Sequence, residues 1–237
     1  TRSDLVTGVQ TCALPIYAGV EKDAVSVAAL CGDVAFGGAL LAPFEATSSR
    51  AIVTAGHDRH IARLDDQPAG EVLNTWLGGS LSLQVAEGGN ILAQTALSPL
   101  AIRHQTTHGD HYVTIHPSQI HVEDGSIDLF ARVHQGDEIC MMKGTVEDLT
   151  QVLGRLYSLS CRGLSPDKIR AALLIYCAGC AGAVGSALHD GLRTHLGPAL
   201  GAIPLLGMCT FGEQGHIPGL GNVHQDLSVS LLLIAEQ

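Results

Sequence analysis

The clearest structural signal in the chain is AALLIYCAGCAGAVG, residues 171–185, where an apolar run leads directly into small residues. Residues 171–177 are continuously apolar, which is typical of a strand buried on both faces. The glycines and alanines that follow indicate a turn, and then a helix over about residues 183–196. Two more apolar runs, residues 205–211 and 227–234, predict strands that complete this part of the chain.

Upstream of this stretch, hairpin signals surround two helices. Pro68 opens an amphipathic helix that Gly78 ends, and Thr145 with Asp148 approximates a capping box before a second helix. Strand signals lie at residues 24–41, 51–55, 61–64, 112–116, 126–133 and 138–143. This order predicts an α/β (mixed α+β) fold: a layered mixed β-sheet with hairpins, followed by a β-α-β-α-β-β C-terminal part.

Composition narrows the class of protein. Of the 237 residues, 46% are apolar and 15% are charged, as in a well-packed globular chain. Lys and Arg number 13 against 23 Asp and Glu, for a net charge of −10, and no basic run occurs, which argues against binding to nucleic acid or an anionic membrane. No apolar stretch reaches the roughly 18 residues of a membrane span.

The seven cysteines lack the dense even spacing of a secreted disulfide scaffold. Cys31, Cys140, Cys177 and Cys209 lie in apolar surroundings, which predicts buried, reduced thiols in a cytoplasmic protein.

The first sixteen residues do not look like native protein. VTGVQTCALPI, residues 6–16, resembles an in-frame translation of a sequencing adapter, so residues 1–16 carry no functional prediction. We therefore expect the chain to be the C-terminal part of a longer protein.

Three stretches in order resemble the FIST family: IARLDDQPAGEVLNTWLG (61–78), LLIYCAGCAGAVG (173–185), and LLGMCTFGEQGHIP followed by VHQDLSVSLLL (205–233). The resemblance implies a sensory module of signal-transduction proteins that binds a small ligand, with amino acids suggested. It also implies that residues 17–65 are a remnant of the FIST N-terminal domain and residues 66–237 the FIST C-terminal domain. The remainder of the N-terminal domain and a signalling output domain are then the expected partners.

The family motifs fall on six residues that we expect to bind the ligand: Cys177, Gly179, Cys180, Gly212, Glu213 and His224. At Cys180 the family has an arginine, so a thiol replaces a guanidinium there. The 177–180 turn and the 212–224 loop should lie side by side at strand ends, and Cys209 should face the core. We expect no catalytic residue, cofactor or metal site.

Two alternatives remain open at this stage. Cys177 and Cys180 form a CxxC motif, which is compatible with a redox pair, with two metal ligands or with the wall of a ligand-binding pocket. Together with Glu213 and His224, the two cysteines are also compatible with a cysteine-dependent hydrolase. The histidine-rich segment from His104 to His121, with Asp110, is either a surface loop or a metal site. For the turn predicted at residues 57–60, a surface turn and a metal site are likewise both open.

Overall fold

The computed structural model describes residues 13–16, 19–22, 32–107 and 109–237. The adapter-like segment and the predicted first half of the 24–41 hairpin therefore lie largely outside the described residues, as do Cys12, Cys31 and His108. The described residues up to Val34 and those from Ala35 onward belong to two compact units. In the first unit, two short strands pair antiparallel, with Ala13 opposite Lys22.

In chain order the strands are β1 (Ala13–Ile16), β2 (Gly19–Lys22), β3 (Val34–Leu41), β4 (Glu45–Leu64), β5 (Gln67–Pro68), β6 (Gly89–Asn90), β7 (Leu100–Thr106), β8 (Gly109–Ile115), β9 (Pro117–Ile120), β10 (Ile127–Val133), β11 (Glu138–Lys143), β12 (Ile169–Cys177), β13 (Leu205–Thr210), β14 (Glu213–Ile217), β15 (Gly221–Gln225) and β16 (Val229–Glu236). The helices are α1 (Ala69–Trp76), α2 (Ser82–Glu87), α3 (Leu92–Thr95), α4 (Val146–Ser160), α5 (Ala178–Val184), α6 (Ala187–Gly191) and α7 (Gly197–Leu200). A 3₁₀ turn covers Pro166–Lys168, and a π-helical segment covers Leu192–Leu196.

The predicted mixed α+β fold is confirmed. The larger sheet has the order β6-β9-β10-β4-β11-β7-β8, with β5 paired to β4. The smaller sheet has the order β13-β12-β16-β3, in which β12 runs parallel to β13 and antiparallel to β16. No helix in the described ranges is long and apolar enough to cross a membrane.

Two hydrophobic cores hold these sheets in place. One lies under the larger sheet, where Leu73 of α1 packs with fully buried residues such as Ile61 and Ile127. The other joins the smaller sheet to α4, with Leu153 and Leu231 completely buried. Apolar burial on this scale is the main source of stability for each layer.

Local sequence signals placed α1, α4 and β12 correctly. Pro68 is the residue before α1, and Gly78, with a φ of 64°, lies just after the end of the helix. Thr145 and Asp148 form a complete capping box at the start of α4. These signals act within one turn of chain, so tertiary context does not override them.

Four predictions at this level need correction. Residues 45–64 are one strand rather than two strands around a turn, because Asp58 adopts a φ of 51° inside the strand and produces a bulge. The helix starts at Ala178, not near 183, and Gly185 interrupts it. The 212–224 loop is largely the β14–β15 hairpin. Cys209 is exposed, since β13 is an edge strand.

Candidate functional site

A cavity of about 710 Å³ lies where the carboxyl ends of β12 and β13 approach β4, α3 and β10. Because β12 and β13 are parallel, with Cys177 opposite Thr210, the segments that follow them leave the same edge of the sheet. The structure thereby brings together the turn after Cys177 and the segment around Gly212, as expected. Four predicted residues line the cavity: Cys177, Gly179, Gly212 and His224.

The other two predicted residues, Cys180 and Glu213, are buried behind the cavity wall. Cys180 is fully buried, and Glu213 is 1% exposed. One Glu213 carboxylate oxygen accepts from Thr210 Oγ1 at 2.9 Å, and the other accepts from the backbone N and Oγ of Ser228 at 3.2 and 3.1 Å. Glu213 therefore ties the ends of β13 and β16 together.

Burial raises the pKa of Glu213 to about 8, and the negative charge of Cys177 adds to this effect. The hydrogen bonds from Thr210 and Ser228 oppose the shift without cancelling it. A carboxyl with this pKa is mostly protonated at neutral pH.

Cys177 ends β12 and precedes the first residue of α5. The Cys180 thiol donates to Cys177 Sγ, which is the largest cause of a lowered Cys177 pKa, and burial only partly offsets it. The backbone amides of Gly179, Cys180 and Leu227 donate to the same sulfur. The pKa of Cys180 is raised, first because its proton is held in this bond and then by burial. The pair thus favours a thiolate at Cys177 and a thiol at Cys180.

Two glycines allow the cavity wall to pack closely. A Cβ at Gly179 would lie 2.9 Å from Leu227 Cδ2. Gly212 has a φ of 85°, and a Cβ there would overlap His224 Nε2. Any larger side chain at Gly212 would therefore displace His224 as well as strain the backbone.

Sequence reasoning missed three polar residues that also line the cavity: Arg59, His116 and Asp226. Arg59 lies on β4, inside the segment that the sequence pattern presented as a turn. His116 follows β8, at the end of the strand predicted over residues 112–116 and inside the histidine-rich segment for which a surface loop and a metal site were both open. Asp226 directly follows β15, next to the motif residue His224.

Asp226 is held in place from both sides. Its Oδ2 accepts from the backbone N of His116 at 2.9 Å, and its Oδ1 lies 3.9 Å from His224 Nε2. Burial raises the pKa of Asp226, although the His116 hydrogen bond and the charges of His224 and Arg59 oppose that shift.

The His116 ring is neutral at physiological pH because burial lowers its pKa to about 4. Its Nε2 lies 3.2 Å from the Leu92 carbonyl oxygen, which only accepts, so Nε2 carries the proton. The ring therefore joins α3 to β8 rather than adding charge to the cavity.

The remaining cavity wall is apolar, with Leu92, Leu97, Phe130 and Phe211 among its residues. An apolar wall with one guanidinium, one carboxylate and the Cys177 sulfur suits a small molecule that carries both charges.

The predicted cluster at His104, His108 and His111 is a hairpin. His104 pairs with His111 across β7 and β8, while His108 lies outside the described residues. Asp110 accepts from Arg103 Nε at 2.9 Å, so its carboxylate already has a cationic partner.

Comparison with known proteins gave one match: the family model described as FIST C domain covers residues 69–216. The matched range includes α1, β12 and the start of the β14–β15 hairpin. No curated protein and no solved structure matches the chain.

Proposed function

Because this chain belongs to the FIST C domain family, whose members are generally sensory domains of signal-transduction proteins, we propose that it senses a small polar ligand in the cavity beside Cys177. The proposed ligand class is a free amino acid. The proposed binding residues are the predicted Cys177, Gly179, Gly212 and His224, with Arg59 and Asp226 added; Cys180 and Glu213 support them from behind.

One observation carries this proposal: Arg59 and Asp226 line the same cavity, whose wall is otherwise largely apolar. A guanidinium binds a carboxylate through two parallel hydrogen bonds, and a buried aspartate suits an ammonium group. Phe130 and Phe211 leave an apolar surface for the ligand side chain. A volume of about 710 Å³ lies within the range of small-molecule sites and exceeds what the smallest amino acids need.

Arg59 also resolves the difficulty raised by Cys180. The thiol at the family's arginine position cannot bind a carboxylate as a guanidinium does. Arg59 reaches the cavity from a different strand and supplies that group. On this proposal Arg59, rather than residue 180, binds the ligand carboxylate.

Calorimetric titration of the wild-type chain with the proteinogenic L-amino acids tests the proposal. We expect at least one to bind, and Arg59→Gln and Asp226→Asn each to weaken that amino acid by about 10- to 100-fold, as for loss of a charge-assisted hydrogen bond. Arg170→Gln is the matched control, because Arg170 is half exposed and pairs with Glu236 outside the cavity. Equal weakening by the control, or binding unaffected by Arg59→Gln, would refute the assignment.

We also propose that residues 66–237 act as the FIST C-terminal domain and residues 17–65 as part of a FIST N-terminal domain, in a cytoplasmic protein with a signalling output domain. FIST domains occur in signalling proteins together with partner domains. Leu205, Leu206 and Met208 of edge strand β13 are between 41% and 60% exposed, which leaves apolar surface for a partner. We expect this chain alone to be poorly soluble, and a monodisperse, non-aggregating monomer in light scattering would contradict that.

A second candidate function is cysteine-dependent chemistry at Cys177, as a hydrolase or a thiol redox enzyme. The observation that favours it is a thiol of lowered pKa at a cavity wall. Against it, Glu213 is 1% exposed and does not line the cavity, and the carboxylate 3.9 Å from His224 is that of Asp226. Separate Cys177→Ser and Cys180→Ser variants distinguish the two functions: unchanged amino-acid affinity with lost turnover of an ester or disulfide would favour the enzyme.

A further inference from the structure

Two histidines and an aspartate meet on the larger sheet, and none of the three is among the residues that line the cavity. Asp128 of β10 lies directly opposite His60 of β4 in the antiparallel register. His121 immediately follows β9, the strand on the other side of β10. Three adjacent strands therefore each contribute, directly or at their end, one side chain to this cluster.

The ligand-type atoms of the three side chains point at one another. His60 Nδ1 lies 2.8 Å from Asp128 Oδ1, and His121 Nε2 lies 2.8 Å from Asp128 Oδ2. All three ligand atoms lie within 4.8 Å of one another. The two imidazole rings are tilted by 50°, with centroids 5.8 Å apart, so both can face one centre without stacking.

We propose that His60, His121 and Asp128 form a binding site for a divalent transition metal ion of the zinc class. Two imidazoles and one carboxylate are a ligand set that zinc, iron(II) and related ions accept, with water in the remaining positions. The three side chains are between 28% and 41% exposed, which leaves room for those waters.

Metal binding requires an adjustment of the three side chains. Bonds of about 2.0–2.1 Å at tetrahedral angles place neighbouring ligand atoms about 3.3 Å apart. The 2.8 Å nitrogen–oxygen distances must therefore widen by about half an ångström, and ligand atoms that lie up to 4.8 Å apart must approach by up to about 1.5 Å.

The competing explanation is a purely structural bridge in which Asp128 only accepts two imidazole hydrogen bonds. His134 provides a matched control for it, because its Nδ1 lies 3.8 Å from Asp137 Oδ2 and it is 80% exposed. This is a histidine–aspartate pair without a second histidine, so it cannot supply three ligands on its own.

Equilibrium dialysis of the untagged, reduced full chain against ZnCl₂ is the test. We expect one ion per chain in the wild type and in His134→Ala, and at least about 100-fold weaker binding in His121→Ala and in His60→Ala/His121→Ala. Circular dichroism checks that the variants are folded. Because His121 is about one-third exposed, its single replacement should not unfold the chain.

Titration with CoCl₂ locates the ion by its ligands. The proposal predicts visible bands without a thiolate charge-transfer band, because no sulfur takes part. A thiolate band would place the ion at a cysteine and overturn the proposal. Absence of tight zinc binding in the wild type, or unchanged binding in the double variant, would overturn it equally.

Discussion

Replacing Glu213 with glutamine should make the protein more stable than the wild type, by an amount that grows as pH rises from 6 to 9. Glu213 is 1% exposed, and burial raises its pKa from an ordinary 4.5 to about 8. Glutamine is uncharged at every pH and can still accept from Ser228 and donate to Thr210 Oγ1. It therefore copies the protonated carboxyl that the fold prefers.

The size of the effect follows from proton linkage. Between pH 4.5 and about 8 the folded state retains a proton that the unfolded state has lost, so the free energy of unfolding falls as pH rises. The stabilisation is complete below 4.5 and is gone once pH passes the folded pKa. Each unit of pKa difference corresponds to about 1.36 kcal/mol, so the wild type should lose about 2–3 kcal/mol between pH 6 and 9 through this residue.

Urea denaturation at several pH values from 6 to 9 measures this difference directly. Comparison with the wild type cancels, to first order, the titration of other groups such as His116. Glu236→Gln is the control: Glu236 is exposed, and the Arg170 hydrogen bond lowers rather than raises its pKa. A difference between Glu213→Gln and wild type that stays constant across this range would refute the reasoning.

Three further predictions concern the cavity wall and the helix that packs on the smaller sheet. Gly212→Ala should lower the free energy of unfolding by about 1–3 kcal/mol in urea denaturation and abolish amino-acid binding, because alanine strains a φ of 85° and displaces His224. Unchanged stability would contradict the positive φ assigned to Gly212. Peptide mapping after iodoacetamide treatment at a series of pH values gives the rate of alkylation of each cysteine. The pH of half-maximal alkylation rate should be lower for Cys177 than for Cys209, because the pKa of Cys209 is raised by desolvation and by the charge of Cys177. The reverse order would be inconsistent with the thiolate at Cys177. Thr145→Ala should cost about 1 kcal/mol in thermal denaturation through loss of the capping box, with no effect on amino-acid binding.

The features predictable from sequence are those set by short-range chemistry. The capping box at Thr145 and the apolar run of β12 depend on neighbours within a few residues, and both were found. The meeting of the 177–180 turn with Gly212 also followed from sequence, since two consecutive apolar strands joined by a helix tend to be parallel and end at one edge.

The predictions that were wrong concern features that depend on contacts between residues far apart in the sequence. Asp58 resembles a turn residue, yet the strand continues through it, because β4 pairs with both β10 and β11. Cys209 has apolar neighbours, but its exposure depends on β13 being at the sheet edge, which no local pattern reveals.

The same limit applies to the site. The sequence motifs identified one wall of the cavity, where Cys177 and Gly212 lie. They could not identify Arg59, because it comes from a strand more than a hundred residues earlier and reaches the cavity only through the packing of the larger sheet.

A crystal structure of this chain grown with millimolar L-amino acids would test the sensory assignment. We expect one amino acid in the cavity, with its carboxylate within hydrogen-bond distance of the Arg59 guanidinium and its ammonium group at Asp226. An amino acid bound elsewhere, or one held in the cavity with its charged groups away from both residues, would contradict the sensory assignment.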